Sequence, residues 1–287
     1  MFNKRHIVRT IAATASILAL SFTAACGSGQ STASNSTDSG DITQQTYKPG
    51  KLTIATGQPA YEPWVMNDKP ESGEGYEAAV AYAVADKLGF KKSDVVWTRT
   101  AFDTAIAPGA KDWDFNIQQF GITDERKKAV DFSSSYYNDS QSVVVKKDSK
   151  FANATKVSDL KDATVGVMVG TLAYDYAKAN IKDDIQTFND DAALAQALDA
   201  GQIDALVTST VECVYMVQSE QVKDAKVLGR LPDSEDKSGM GFVLPKDSKL
   251  TAAVTKAVDD LNADGTIKKL QDKWLAEYTT DLTELKK

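Results

Sequence analysis

The chain has 287 residues, 42% of them hydrophobic and 25% charged, which is the composition of an ordinary globular protein. This length is enough for two packed domains. The formal net charge of −7 argues against nucleic acid or an anionic lipid surface as a binding partner.

The first 25 residues have the pattern of an export signal. Lys4, Arg5 and Arg9 make a basic start, and residues 11–25 follow without any charged side chain. The apolar part is too short for a good membrane span and ends in small residues, as at a cleavage site. We therefore predict that residues 1–25 are a signal peptide that the mature protein lacks.

Cys26 follows the small residues Thr-Ala-Ala at 23–25, and this sequence resembles a bacterial lipobox, in which the cysteine is diacylated. A plain secretory signal followed by a chance cysteine is the alternative. Residues 27–41 are a polar run rich in Ser, Gly, Thr and Asn, which cannot bury a core and predicts a flexible tether. Because two acyl chains hold a protein stably at a membrane, we expect anchoring through Cys26 at the extracellular face of the cell membrane.

Loss of the signal also changes the charge and the reactive groups. It removes three of the 33 basic residues and none of the 40 acidic ones, so 30 basic residues remain and the net charge moves to −10. It removes the only histidine, His6, which excludes His-based catalytic triads and His metal sites. Cys213 is the only other cysteine, so we expect no disulfide and a small buried side chain rather than a reactive thiol.

From residue 51 onward, predicted strands and helices alternate, which is typical of α/β proteins. The first half is predicted to contain, in chain order, a strand at 51–55, a helix at 76–88 closed by Gly89, and strands at 95–97 and 113–117. Any helix between the last two strands is brief, because Pro108 and Gly109 interrupt it.

The second half repeats this scheme. It is predicted to contain, in chain order, a strand at 164–168, a helix at 172–179, a strand at 185–188, a helix that Asp190 or Asp191 caps and that ends at Ala200, and a strand at 203–207. The first strands of the two halves lie about 110 residues apart, which is the spacing of domains rather than of solenoid repeats.

The C-terminal part adds a returning strand at 241–244 and two helices, at 250–261 and 267–278. We therefore predict an α/β protein of two lobes, each a mixed, mostly parallel sheet flanked by helices. The predicted boundaries are a signal peptide at 1–25, a tether at 26–50, a first lobe at 51–140 plus 239–287, and a second lobe at 141–238. Because open α/β sheets bind ligands beyond the carboxyl ends of their strands, a ligand cleft is expected between the lobes.

One motif resembles a known family. Residues 121–133 (GITDERKKAVDFS), followed by Tyr136 and Tyr137, are similar to the signature of the polar-amino-acid extracellular solute-binding proteins of ABC importers, which glutamine- and histidine-binding proteins typify. Further similarities follow in order at 75–77, 169–171, 262–266 and 273–274. The resemblance spans roughly residues 51–278. It implies a periplasmic-binding-protein-like fold that closes around a hinge near Gln141 and residues 238–239.

The resemblance also implies the role of the protein. A monomer captures a small-molecule ligand, expected to be an amino acid, and delivers it to an ABC permease in the membrane. No catalytic residue, cofactor, metal or nucleic acid is implied.

The same resemblance implies the groups that bind the ligand carboxylate. Arg126 matches an arginine whose planar guanidinium offers a bidentate fork to that carboxylate. The alternative is that Arg126 only pairs with Asp124 or Glu125 on a solvated surface. Thr171 matches a threonine of the second lobe that meets the same carboxylate, at a helix start where free N–H groups favour an anion.

Aromatic and polar side chains are expected around the rest of the ligand. Tyr61 and Phe102 match rings that enclose its aliphatic part, whereas Trp64 suits a pocket and a core equally. Gln119 and Gly121 stand just before the arginine motif, and Gln118 and Gln119 offer both donors and acceptors to a polar ligand group.

Three positions depart from the pattern of the family. Gly57 and the stretch 118–121 lack an Asp and a Thr that relatives often have. Ser209 stands where the resemblance implies an Asp that pairs with the ligand ammonium, and a buried ammonium without a carboxylate is costly. Glu212, three residues on, either supplies that carboxylate or lies on the surface of the following helix.

Other functions stay open from the sequence alone. A same-fold enzyme, such as the related dehydratases or the domain fused to lytic transglycosylases, is disfavoured by the absence of histidine and of an evident catalytic carboxylate pair. A sensor domain normally adjoins a kinase or a transmembrane segment, and neither is evident before Lys287. An importer subunit for a non-standard amino acid, an opine or a small amine-bearing acid keeps the transport role and changes the ligand.

Overall fold

The computed structural model describes residues 41–279 and 282–287. The predicted signal peptide, Cys26 and most of the predicted tether lie outside the described residues. The described residues belong to one compact unit, residues 39–287. In these two ranges, no helix has the length and the apolar character needed to cross a bilayer.

The first lobe is a five-stranded sheet with helices against it. Its strands are β1 (Leu52–Thr56), β2 (Val95–Arg99), β3 (Phe115–Asn116), β4 (Val130–Tyr137) and β10 (Met240–Pro245), in the spatial order β2-β1-β3-β10-β4. Strand β1 pairs in parallel with β2 and β3, whereas β10 runs antiparallel to β3 and β4. All five residues of β1 are buried, as expected for a central strand covered on both faces. The helices are α1 (Tyr76–Lys87), α2 (Phe102–Ile106), α6 (Thr251–Ala263) and α7 (Thr266–Trp274).

The second lobe repeats this arrangement. Its strands are β5 (Gln141–Lys146), β6 (Val165–Met168), β7 (Gln186–Phe188), β8 (Ala205–Ser209) and β9 (Ala225–Arg230), in the order β7-β6-β8-β5-β9. Its helices are α3 (Leu172–Asn180), α4 (Asp191–Asp199) and α5 (Thr210–Gln218). Separate apolar clusters cover the two faces of this sheet. The predicted two-lobed α/β class is therefore confirmed.

Two segments cross between the lobes, residues 138–140 and residues 231–239. They run side by side, because the Asp236 N–H donates to the Asp139 carbonyl (2.9 Å) and the Asn138 side-chain amide donates to the Asp236 carbonyl (2.8 Å). Gly239 has a φ of 72°, and a Cβ there would lie 2.0 Å from Ser135 Oγ, so this position requires glycine. The crossings thus lie at the predicted hinge near Gln141 and residues 238–239.

The strands that sequence periodicity missed are the antiparallel ones. Neither β4, β5 nor β9 was predicted, whereas the predicted returning strand at 241–244 lies within β10. Each sheet therefore has two strands beyond its predicted series of three, which are β10 and β4 in the first lobe and β5 and β9 in the second. The burial of β4 does not alternate along the strand, because tyrosines and serines share both faces. Such a pattern carries no period of two from which to predict a strand.

The chain ends differ from the predicted boundaries. Residues 41–50 lie on the first lobe, where the Tyr47 N–H donates to Asp114 Oδ1 (2.5 Å) and Ile42 packs against the core. At the other end, residues 282–287 lie on the second lobe rather than the first. Leu285 packs into an apolar cluster of the second lobe, and Glu284 forms a β-bridge with Arg230. One apolar residue in a charged tail gives too weak a sequence pattern to predict this return.

Candidate functional site

A cavity of about 260 Å³ lies between the two lobes, where the strands of both sheets end. This volume is near the lower end of the range of about 300–1,000 Å³ that is usual for ligand pockets. The structure brings all nine residues predicted to contact the ligand to the wall of this one cavity: Tyr61, Trp64, Phe102, Gln119, Gly121, Arg126, Thr171, Ser209 and Glu212. That they bind a ligand stays a prediction.

Arg126 lies in the cavity wall and reaches from the first lobe to the second. Its Nη1 donates to the Gly121 carbonyl (2.6 Å) and its Nη2 to the Gly170 carbonyl (2.9 Å). The guanidinium carbon also lies 5.5 Å from the centre of the Phe102 ring, within cation–π distance. Burial lowers the pKa of Arg126, while the charges of Asp175 and Asp236 act to raise it.

The alternative role for Arg126, an ion pair with its acidic neighbours in sequence, does not occur. Asp124 pairs with Lys127 and Glu125 pairs with Lys128 on the surface of the same turn. The turn is fixed by the Arg126 backbone N–H, which donates to Thr123 Oγ1 (3.1 Å). In this turn, the two lysines therefore lie on the surface and the arginine lies in the cavity wall.

Thr171 is the N-cap of helix α3 on the opposite lobe. Its hydroxyl donates to the Met168 carbonyl (2.8 Å) and accepts from the Tyr174 N–H (3.2 Å). Thr171, Leu172 and Ala173 all line the cavity. The first N–H groups of a helix have no partner within it, so the start of α3 offers donors and a positive dipole end to an anion.

The aromatic residues link the two lobes. The Trp64 side chain is fully buried, and its Nε1 donates to Glu212 Oε1 of the second lobe (2.7 Å). Trp64 is therefore both a core residue and part of the cavity wall. Tyr61 Oη accepts from the Ala192 N–H of the second lobe (3.4 Å). Phe102 stacks on Phe120 with ring centres 4.5 Å apart, which holds it against Arg126.

Gln119 is held by a buried carboxyl that the sequence analysis did not single out. Its backbone is left-handed, with a φ of 51°, and both its N–H (2.7 Å) and its side-chain amide donate to Glu77. Glu77 is 0% exposed and also accepts from the Tyr136 hydroxyl. Burial raises the pKa of Glu77 to about 7. The signal was present in the sequence as a single acidic residue on the apolar face of α1.

Ser209 and Glu212 lie three residues apart at the start of helix α5. Ser209 is the N-cap, and its hydroxyl accepts from the Glu212 N–H (3.3 Å). The alternative of a surface position for Glu212 is wrong, since its side chain is only 4% exposed. Glu212 faces inward because it lies about one helical turn after the N-cap Ser209, which is the last residue of β8.

Two further aspartates of the cavity wall stand close to Glu212. Asp191, at the start of α4, accepts from the Thr208 hydroxyl (3.4 Å), and Asp139, in a lobe crossing, accepts from the Ser140 (2.7 Å) and Val211 (3.5 Å) N–H groups. Burial raises the pKa of Asp139 and of Asp191 to about 6. Burial and the charge of Asp191 hold the pKa of Glu212 well above its usual range. From the sequence, Asp191 was predicted only as a possible helix cap, and no role was predicted for Asp139.

The cavity thus has a basic part and an acidic part. Arg126 has Asp175 and Asp236 as its charged neighbours, whereas Glu212 has Asp191, Asp139 and Glu77. Gln118 Oε1, also in the cavity wall, has no hydrogen-bond partner among the described residues. Within the same ranges, no group of three or more His, Cys, Asp or Glu side chains could hold a metal ion. The arrangement suits a small molecule with an anionic end and a cationic end.

Gly121, whose carbonyl accepts from Arg126, lies close to the second lobe. A Cβ at this position would lie 2.6 Å from Leu172 Cδ1 of the second lobe and 2.9 Å from Asp236 Oδ2. Because its φ is not in the left-handed region, Gly121→Ala is expected to fold and to hinder only lobe closure. We expect a ligand affinity roughly tenfold lower, measured by calorimetry, with an unchanged urea midpoint for the empty protein. Unchanged affinity would contradict the close approach.

Comparisons with known proteins agree with this geometry. Residues 52–277 match the family model described as bacterial extracellular solute-binding proteins, family 3. The chain is 29% identical over 245 residues to the L-arginine-binding protein of Pseudomonas aeruginosa, covering 80% of this chain and 88% of that protein. It is 30% identical over 223 residues to the L-cystine-binding protein TcyJ of Escherichia coli K12, covering 77% and 81%.

Solved structures are similar over the same part of the chain. An ancestral arginine-binding protein bound to arginine has a TM-score of 0.66 at 31% identity, covering 78% of this chain and 98% of that chain. The ancestral amino acid-binding protein AncCDT-1, a precursor of cyclohexadienyl dehydratase, also has a TM-score of 0.66 at 31% identity, covering 79% and 96%.

Proposed function

Because the chain belongs to the bacterial extracellular solute-binding proteins, family 3, we propose that it captures an amino acid between its lobes and delivers it to an ABC permease. The observation that carries this proposal is the cavity wall. One part of the wall contains Arg126 and the start of α3, which suit a carboxylate. Another part contains the carboxyl groups of Asp191 and Glu212, which suit an ammonium group. A relative that binds L-arginine and one that binds L-cystine support an amino acid as the ligand.

Closure of the lobes provides the mechanism. Arg126 belongs to the first lobe, whereas Thr171 and Glu212 belong to the second, so a ligand makes all its polar contacts only when the lobes are together. A ligand shifts a conformational equilibrium by its differential affinity for the two states. The crossings at residues 138–140 and 231–239 are the hinge about which this closure occurs. The closed, loaded form is the one that docks on the permease.

A thermal-unfolding screen tests the proposed function. The purified protein is heated with each of the common amino acids, with cystine, ornithine and citrulline, and with opines and related carboxylates. A ligand present at 100 times its dissociation constant adds about 2.7 kcal/mol to the free energy of unfolding. We expect at least one amino acid to do so. If no compound carrying an amino group and a carboxylate raises the melting temperature, the proposal fails.

An enzyme of the dehydratase type is the second candidate. Its support is the similarity to AncCDT-1, itself described as an amino acid-binding protein and as a precursor of a dehydratase. Proton NMR of a mixture of the protein with each stabilising ligand, and with a ring acid of the prephenate kind, separates the two. Turnover at catalytic protein concentration supports the enzyme, and an unchanged ligand supports the binding protein.

The anchoring of the chain is a separate part of the proposal. We expect Cys26→Ser to move the protein from the membrane fraction into the surrounding medium, because the variant lacks the thiol that carries the acyl chains. Cell fractionation and incorporation of a labelled fatty acid provide the measurement. Cys213→Ala is the matched control, since Cys213 is fully buried in the second lobe and keeps the membrane distribution. Release of both variants, or of neither, would contradict acylation at Cys26.

A further inference from the structure

The acidic part of the cavity contains more negative charge than one ammonium group balances. Six carboxyl groups line the cavity, and Arg126 is the only lysine or arginine among its described lining residues. Three of the six have other partners in the protein. Asp190 caps α4, Asp236 accepts from the Ser238 and Gly239 N–H groups, and Glu77 holds Gln119 and Tyr136. Asp139, Asp191 and Glu212 also accept hydrogen bonds, but their charges act on one another, and we call these three the acidic cluster.

Glu212 is the member of the acidic cluster that points to a ligand. Its side chain is 4% exposed, and the Trp64 indole satisfies only Oε1. No donor of the described residues lies within hydrogen-bond distance of Oε2, although the side chain lines the cavity. A side chain that is only 4% exposed keeps a full negative charge at a high cost, so such a site is completed either by a bound proton or by a cation.

Among residues 41–279 and 282–287, no positively charged side chain acts on the acidic cluster. The titratable groups that face it from the neighbouring elements are Tyr61, Glu77, Tyr137, Asp190, Cys213 and Tyr215. None of these is cationic, and the charged neighbours of Arg126 are Asp175 and Asp236 instead. Three carboxyl groups in one low-dielectric place cannot all be ionised while the cavity is empty.

We propose, as a refinement that depends on the proposed function, that the acidic cluster selects an amino acid with a net positive charge and exchanges a bound proton for its cationic group. In the empty cavity, a proton stays on the cluster as a carboxylic acid. When the ligand enters, its ammonium or guanidinium group donates to the carboxylates, and the displaced proton leaves to the solvent. One positive charge enters as another leaves, so the charge of the acidic part stays constant. The raised pKa values of Asp139, Asp191 and Glu212 are consistent with this exchange.

Calorimetric titration of a matched ligand pair tests the proposal. L-Arginine and L-citrulline have the same chain length and α-groups, and differ in whether the distal group is charged. We expect arginine to bind at least tenfold more tightly than citrulline at pH 7.5. We also expect its binding heat to differ between phosphate and Tris buffers, since released protons are taken up by the buffer. Release of one proton at pH 7.5 predicts an affinity that falls by up to about tenfold for each unit by which the pH is lowered from 7.5.

Glu212→Gln tests the role of the residue itself. Glutamine keeps the size and the acceptor for Trp64 Nε1, but it carries neither the charge nor the exchangeable proton. We expect arginine affinity to fall at least 30-fold and the buffer dependence of the heat to decrease, while citrulline affinity falls less than tenfold, because its single ammonium group keeps Asp191. Glu220→Gln, on the exposed residue just beyond α5, is the matched control and leaves all these quantities unchanged.

The possible outcomes separate this inference from the proposed function. Citrulline or another neutral amino acid binding as tightly as arginine, or arginine binding without buffer dependence, overturns the inference and leaves the proposed function standing. A melting temperature that no amino acid raises overturns both. A Glu212→Gln variant that melts normally but keeps full preference for arginine removes Glu212 from the cationic site.

Discussion

Arg126→Ala is expected to abolish the stabilisation of the protein by its amino-acid ligand while leaving the fold in place. The guanidinium lines the cavity, donates to the carbonyls of Gly121 and Gly170, and has no ion pair with the acidic residues next to it in sequence. Removing one partner of a buried charged pair costs about 2–5 kcal/mol, much of it because the other charge is left unpaired. A loss of this size lowers the affinity by roughly 30-fold or more.

The measurement is the ligand-induced rise of the melting temperature, together with a calorimetric dissociation constant. Lys127→Ala is the matched control, because it removes a neighbouring cation whose partner, Asp124, lies on the exposed surface of the same turn. Lys127→Ala keeps the full ligand effect. A ligand-induced rise in Arg126→Ala equal to that of the unchanged protein would remove Arg126 from the site.

Arg126→Lys separates charge from geometry. Lysine keeps one positive charge but loses the planar fork, so it cannot donate to a carboxylate in a bidentate way. We therefore expect an affinity between those of the unchanged protein and Arg126→Ala. If the lysine variant equals the unchanged protein, the charge alone holds the ligand.

The parallel part of the fold could be predicted from the sequence because buried strands and amphipathic helices leave clear periods. The buried run of β1, the helix α1 and the strand–helix series of the second lobe were all placed within a few residues. The strands β4, β5 and β9 were missed for a physical reason. Their partners lie far away in the sequence, so β5 pairs with β8, and β4 with β10, through contacts that no local pattern records. The two-residue strand β3 is likewise defined by its pairing with β1 and β10 and not by a local sequence pattern.

The basic part of the cavity wall could be predicted, whereas of the acidic part only Glu212 was considered, and with its orientation left open. Arg126 and Thr171 belong to contiguous motifs, and each motif also contains the residues that orient it, such as Thr123 for Arg126. The acidic cluster has no motif. Asp139 comes from a lobe crossing, Asp191 from the start of α4 and Glu212 from α5, and only the packing of these elements brings them together. For Glu212, helical periodicity left both an inward and an outward orientation open.

Glu77→Ala is expected to destabilise the first lobe strongly. The carboxyl is 0% exposed and accepts hydrogen bonds from Tyr136 and from both nitrogens of Gln119. Truncation leaves these donors without an acceptor and opens a cavity, which together cost about 2–5 kcal/mol. The total free energy of unfolding of a native protein is about 5–15 kcal/mol. Urea unfolding at pH 7 measures the difference, and Glu74→Ala, at an exposed position three residues earlier, is expected to stay within about 0.5 kcal/mol.

The pH dependence of the same residue distinguishes a buried acid from an ordinary one. Burial raises the pKa of Glu77 from 4.5 to about 7. Between these values the folded protein holds the proton while the unfolded chain releases it, so the free energy of unfolding falls as the pH rises through this window and is level above it. Each unit by which folding raises a pKa corresponds to about 1.4 kcal/mol, so the fall is of the order of 3 kcal/mol. Asp139 and Asp191 contribute in the same direction from lower pH, and only the difference between the unchanged protein and Glu77→Gln isolates Glu77. Glutamine does not titrate, so between pH 4.5 and 7 the free energy of unfolding of Glu77→Gln is expected to rise by this amount relative to that of the unchanged protein. A constant difference would mean that Glu77 is ionised throughout.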